Sequence, residues 1–167
     1  MNTELSTEIR PGTYTIDPSR STCRLIATHA FGLMPVNATV AISGGTVTLT
    51  TDPARYTASA TLAAASFRSG NQRRDGDITK RFFDSAHYPQ IAFRSTGFDG
   101  RRITGVLSVR GTDSPVALEI TGWASTGNGY RASATTEIDR IAAGVKAGRG
   151  MVARKVRLTL EVVVNAS

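Results

Sequence analysis

Apolar and polar residues alternate along most of this chain with a period of two. Cys23, Leu25, Ala27 and His29 share one parity, opposite Thr22, Arg24, Ile26 and Thr28. Val36, Ala38, Val40 and Ile42 repeat the pattern, and Gly44-Gly45 predicts a hairpin turn into Val47 and Leu49. Asp52-Pro53 predicts a second turn before a strand from Tyr56 to Phe67, which carries Ala58, Ala60, Leu62 and Ala64 on one side. Further strands follow at Ile103–Val109, Val116–Ile120, Tyr130–Ile138 and Val156–Val164, with turns at Asp99-Gly100, Gly111 to Pro115 and Gly127-Asn128-Gly129. No stretch holds a clean helical period. Roughly eight or nine strands on short turns describe an up-and-down barrel or a sandwich. Residues 1–12 read as a polar lead-in and 13–167 as a single β domain.

One stretch breaks the alternation. Ser66 to Thr96 leaves a strand, crosses a basic turn marked by Gly70 and Asn71, and enters a short amphipathic segment with Ile78, Phe82 and Phe83. It returns through Tyr88-Pro89 into Ile91, Phe93 and Ser95. Two adjacent aromatics ahead of a proline-led strand predict a helix across one end of a barrel.

The inward parity is small. Ala27, Ala38, Ala58, Ala60, Ala64, Gly105, Ala132 and Ala134 fall on the apolar faces. An eight-stranded barrel needs bulky side chains to fill its lumen, or it keeps room for a ligand. Alanines would also let two sheets of a sandwich approach closely. An aromatic cover favours the hollow alternative, because a filled core has no use for one.

Four motifs in order resemble the YceI-like family. They are Tyr14-Thr15-Ile16-Asp17 with Ser21, Leu25 and His29; Arg74-Asp75 through Phe82-Phe83-Asp84, Tyr88-Pro89 and Phe93-Arg94-Ser95; Gly105 to Gly111; and Ile138-Asp139-Arg140. The chain departs from the family pattern at Arg20, at Asp77-Ile78 and at Asp113. The resemblance implies an all-β fold: an antiparallel, eight-stranded, lipocalin-like barrel with a short helix over one end. It also implies a lumen that takes an extended isoprenoid, such as a polyprenyl pyrophosphate or a quinone.

Charge adds a second theme. Twenty basic residues, 17 of them Arg, stand against 13 acidic ones, for a net of +7. Such a surface attracts anions, or is simply well solvated. Arg68, Arg73, Arg74, Lys80 and Arg81 crowd the aromatic segment, and Lys146, Arg149, Arg154 and Lys155 form a second cluster. Either could greet an anionic headgroup or remain a solvated loop. Single-strand nucleic-acid binders need aromatic platforms between their cations, and aromatics make up only 7% of this chain. No nucleic-acid partner is expected.

The chemistry-bearing residues are sparse. Cys23 sits at an apolar strand position, reads as a buried inert thiol, and has no partner for an internal disulfide. His29 and His87 are too far apart to suggest a metal site. His29 reads as a rim residue, structural or in contact with a headgroup, and His87 as exposed. Asp75 and Asp77 read as helix caps or partners of the neighbouring arginines rather than an acid–base pair. The polar N-terminus does not read as a signal peptide and no segment is long enough to span a membrane, so a cytoplasmic protein is expected.

These readings converge on non-catalytic binding, carriage or storage of a long apolar lipid, with no required cofactor. An enzyme acting on a hydrophobic substrate at the mouth is the alternative, followed by a nucleic-acid-binding barrel, and the oligomer considered is a homodimer. The residues expected to contact ligand in the lumen are Leu25, Ala27, His29, Phe31, Val36 and Leu62. Phe67, Ile91, Phe93 and Ile138 join them. Phe82 and Phe83 are expected to close the end, with Arg68 and Arg74 at the mouth.

Overall fold

The computed structural model describes residues 9–28, 35–145 and 154–167. Among them, ten antiparallel strand segments follow in order. These are β1 (Gly12–Ile16), β2 (Thr22–Thr28), β3 (Pro35–Val40), β4 (Ile42–Leu49) and β5 (Thr57–Ala63). Then come β6 (Gln90–Phe98), β7 (Arg102–Val109), β8 (Thr112–Ser125), β9 (Gly129–Asp139) and β10 (Lys155–Ala166). β1 and β2 lie end to end along one edge of β10. β3 and β4 run likewise along β2 and β1. Each couple is one bent strand, so the segments form an eight-stranded meander closed by β1 against β10. Closure leaves no free sheet edge at that seam.

The first bend explains the Asp17 and Ser21 of the opening motif. Asp17 accepts from the Ser19 N–H at 3.1 Å and caps a 3-10 turn, Pro18–Arg20, whose proline stands where no N–H is needed. Ser21 Oγ donates to the Asp17 carbonyl at 2.7 Å and accepts from the Val163 N–H at 3.0 Å, which pins the kink to β10.

Three sequence readings are corrected. Gly44-Gly45 is not a hairpin turn; it lies within β4, at a bulge against β5. A Cβ on Gly45 would meet the Ser59 carbonyl oxygen and lie 2.6 Å from Ile16 Cδ1, so the glycine there serves close backbone approach. The strand expected to reach Phe67 ends at Ala63. Residues 64–66 form a 3-10 turn, and Arg68 takes up the pairing with Thr39 of β3 instead. Finally, the turn expected over Gly111 to Pro115 is only Arg110-Gly111, with φ of 50° and 75°. Positive φ at both central residues matches the twist of the flanking strands. Pro115 lies inside β8, on a stretch that β9 joins only from Glu119 onward, so its missing N–H leaves no ladder gap.

Two further bulges, between Ser95 and Gly97 and between Ile120 and Gly122, shift the inward parity of β6 and β8. They turn Phe98 and Trp123 toward the lumen. The turns after β4, β6 and β8 are short. The longer connections gather at the other end, where α1 (Gln72–Asp77) and a π-helical turn over Ile78–Phe82 lie between β5 and β6. Among the described residues no helix is long and apolar enough to cross a membrane.

A Cβ on Gly44, unlike one on Gly45, meets nothing within 4 Å. Gly45→Ala should therefore lower unfolding free energy by about 1–3 kcal/mol through overpacking. Gly44→Ala should stay within about 0.5 kcal/mol of the parent. Urea denaturation of both variants checks the bulge; equal effects would contradict it.

Candidate functional site

A cavity of about 1050 Å³ runs along the barrel interior, at the top of the range for small-molecule sites. Its wall is built from the inward parity: Val156, Leu158, Leu160, Val162 and Val164 of β10 face it, as do Ala132 and Ala134 of β9. Of the eight small residues singled out above, Ala27, Ala38, Ala58, Ala60, Ala132 and Ala134 line it. Ala64 is instead buried in a cluster with Ile91, Val109 and Val145. Gly105 is covered by Phe93, whose ring comes within 2.6 Å of the position a Cβ would take.

The end with the short turns is aromatic. Tyr56 stacks on Phe98 at 5.4 Å between centroids, and Tyr130 packs against Tyr14 at 5.4 Å and Trp123 at 5.7 Å. Arg10 crosses outside this group, its backbone N–H donating to Tyr130 Oη at 2.9 Å and its guanidinium lying over the Tyr130 ring.

The opposite end is covered by residues 69–88. Asn71 caps α1, accepting from the Arg74 N–H at 3.0 Å. Neither aspartate caps α1, and among the described residues neither forms an ion pair with an arginine. Asp75 is buried and accepts from the Ser69 N–H at 3.0 Å and from Ser69 Oγ. Ser69 in turn receives Arg74, Nε to Oγ at 2.9 Å and a terminal nitrogen to the carbonyl at 3.2 Å. The helix then widens into its π-turn, with Phe83 N–H bonded to the Ile78 carbonyl five residues back. A wider turn brings consecutive side chains closer to one face, and both Phe82 and Phe83 reach the cavity. Phe83 meets Phe67 edge-on at 6.0 Å. Two arginines grip the turn from outside the helix. Arg110 donates to the Arg81 carbonyl at 2.8 Å, and Arg140 lies over the Phe82 ring at 5.3 Å.

Leu25, Ala27, Val36, Leu62, Phe67 and Arg74 all line the cavity, as do Phe82, Phe83, Ile91, Phe93 and Ile138. His29 and Phe31 lie outside the described residues, as do Lys146 and Arg149. Arg68 is not part of the wall. It is exposed and bonds to the Ala65 and Phe67 carbonyls of its own turn, because Arg68 pairs with β3 and points away from the lumen. Lys80 is exposed, and Arg154 is held by Asp139 at 2.7 Å. His87 is exposed and bonded to Asp84 at 2.9 Å.

Arg140 escaped the sequence reading as a wall residue. It is 6% exposed, lines the cavity and donates to the Val145 carbonyl at 2.8 Å. Burial pulls its guanidinium below the usual arginine range, with Asp139 opposing. The signal was present, since Arg140 continues the inward parity of Thr136 and Ile138. Among the described residues no three His, Cys, Asp or Glu side chains are placed to hold a metal ion.

The sequence profile of the YceI-like domain matches residues 14–164. The fold is similar to the crystal structure of BcnA from Burkholderia cenocepacia, at 23% identity and a TM-score of 0.74, over 90% of this chain and 99% of that one. It is also similar to a polyisoprenoid binding domain from Saccharophagus degradans implicated in plant cell wall breakdown, at 11% identity and a TM-score of 0.68, covering 95% and 100% of the two chains. A third similar structure is a Campylobacter jejuni YCEI protein that crystallizes with large solvent channels, at 22% identity and a TM-score of 0.52, covering 72% and 80%. No curated protein matches the sequence.

Cys23 lines the cavity and is buried, and desolvation pushes its thiol up to about 12. Raised from 9.0 to about 12, it should hold about a thousandfold less thiolate at pH 8 than the unfolded chain, and the thiolate is the nucleophile. Bimane alkylation should be slow on the native protein and fast in urea. As pH rises from about 9 toward 12 the unfolded thiol deprotonates first, so stability should decline over that window. Equal labelling rates with and without urea would contradict this burial.

Proposed function

The chain belongs to the YceI-like family, and from that membership we propose that it binds a long apolar lipid, of isoprenoid type, along the barrel lumen. The observation that carries this reading is the cavity itself: about 1050 Å³ within strands whose lining side chains are mostly aliphatic, aromatic or alanine, with Cys23, Thr57, Ser59, Ser95 and Thr136 the exceptions among the described strands. A tail threaded there gains roughly 0.8 kcal/mol per buried methylene. Ten methylenes thus supply about 8 kcal/mol, the equivalent of micromolar affinity before ordering costs are subtracted. Tight binding needs no catalytic group.

Carriage or storage without turnover is the reading the wall supports. Asp77 is the sole carboxylate among the described lining residues, and it stands at the mouth rather than beside a second acid. The name of the Saccharophagus relative, a polyisoprenoid binding domain, points to the same ligand class. Among isoprenoids, a polyprenyl phosphate and a quinone both carry a tail this lumen would accept.

The test is extraction of the purified protein with organic solvent, followed by mass spectrometry, beside an Ala134→Phe variant that fills the lumen from β9. The parent should release a prenyl lipid and gain thermal stability from added polyprenyl ligand. The variant should fold, release less lipid and lose the thermal shift. A parent that releases no lipid and shows no shift would overturn the proposal.

A further inference from the structure

At the aromatic end the lumen meets a residue that the strand ladder does not hold. Ile9 lines the cavity there and packs against the buried cluster that includes Tyr14, Ile16 and Tyr130. Its neighbours in the wall, Pro53, Tyr56, Phe98, Trp123 and Tyr130, come from strands or from the short turns between them. Ile9 instead precedes β1, whose pairing begins at Gly12 against Leu49 and at Tyr14 against Ala166. Pro11 has no N–H with which to extend that ladder.

Arg10 supplies the anchorage. Its N–H donates to Tyr130 Oη at 2.9 Å, and its carbonyl accepts from Tyr14 Oη. Its guanidinium donates to Ser125 Oγ and to the Gly129 carbonyl, both at 3.2 Å, and lies 4.9 Å from the centre of the Tyr130 ring. Main chain and side chain thus tie the segment ahead of β1 to the end of β8 and the start of β9. A guanidinium suits this task, because its fork reaches two acceptors while its face stacks on an aromatic ring. Ordering a chain segment costs conformational entropy, and here five contacts of one residue offset it.

We propose that Arg10 is a positioning residue that holds Ile9 as the end-stop of the lumen, and that this strap sets the longest lipid tail the barrel accepts. The proposal rests on the lipid-binding reading and adds chain-length selection to it. An apolar tail gains free energy with each methylene that leaves water. Ile9 occupies the last of the space, so a further isoprene unit either stays in water or displaces the strap. Displacement breaks the contacts of Arg10, and the gain from length ends there.

The parent, Ile9→Ala and Arg10→Ala are titrated with farnesol, geranylgeraniol and longer neutral prenyl alcohols. Acrylamide quenching is measured on Trp123, the single tryptophan, which packs on Tyr130. The parent's affinity should level off at one chain length. In both variants that limit should move to a longer alcohol. The affinity ratio between the first alcohol past the parent's limit and farnesol should rise about tenfold or more. Acrylamide should reach Trp123 more readily in Arg10→Ala. A barrel merely loosened by substitution would lose affinity for every length together and leave the ratio alone. A limit that stays in place in either variant, or unchanged quenching in Arg10→Ala, would overturn the inference and leave the carrier reading standing. Failure of the parent to bind any of the alcohols would overturn both.

Discussion

The barrel's architecture depends on a mismatch between a closed hydrogen-bonded ladder and the side chains available to fill it. Closure of β1 against β10 fixes the circumference. Once that is set, the lumen collapses only if inward side chains are bulky enough to meet across it. Here β9 offers Ala132 and Ala134, and β5 offers Ala58 and Ala60. Interiors otherwise pack like organic crystals, so a cavity of about 1050 Å³ between the protein's own side chains is a large departure, framed by the ladder around it.

The covered end follows from the same mismatch. With the lumen unfilled, the wall at that end is completed by residues outside the ladder. Phe67, Phe82 and Phe83 supply bulk that the strands lack; Ala64, Ile91, Val109 and Val145 receive Phe82 and Phe83, and Phe67 packs with Ala38 and Val40. The cover is then fixed by polar groups: Asp75 on Ser69, Ser69 on Arg74, Arg110 on the carbonyl of Arg81. Each buried polar atom is satisfied locally, as a dry neighbourhood requires. Hydrophobic seal and cationic rim thus come from one segment of about twenty residues.

Much of this was legible in the sequence. Alternation located the strands, and the alanine-rich parity marked the lumen, because a period of two assigns faces without further knowledge. What stayed hidden depended on pairs distant in the chain. Gly44-Gly45 reads as a turn until Ser59 and Ile16 are seen against it, and only then becomes a bulge. Phe98 and Trp123 change face at bulges that local patterning does not reveal. Arg68 and Arg74 sit in the same basic stretch, yet one pairs with β3 and leaves the wall while the other is clasped into it. Arg140 followed the parity but not the expectation that a charge points outward.

The central claim is an under-filled apolar lumen that binds by burial. Its most direct test is calorimetric titration with neutral prenyl alcohols of increasing length, in buffer of fixed salt. Affinity should strengthen with each added unit, at about 0.8 kcal/mol per buried methylene at most, and level off once the cavity is full, with a negative heat-capacity change throughout. Affinity independent of chain length, or binding without that heat-capacity signature, would contradict the account.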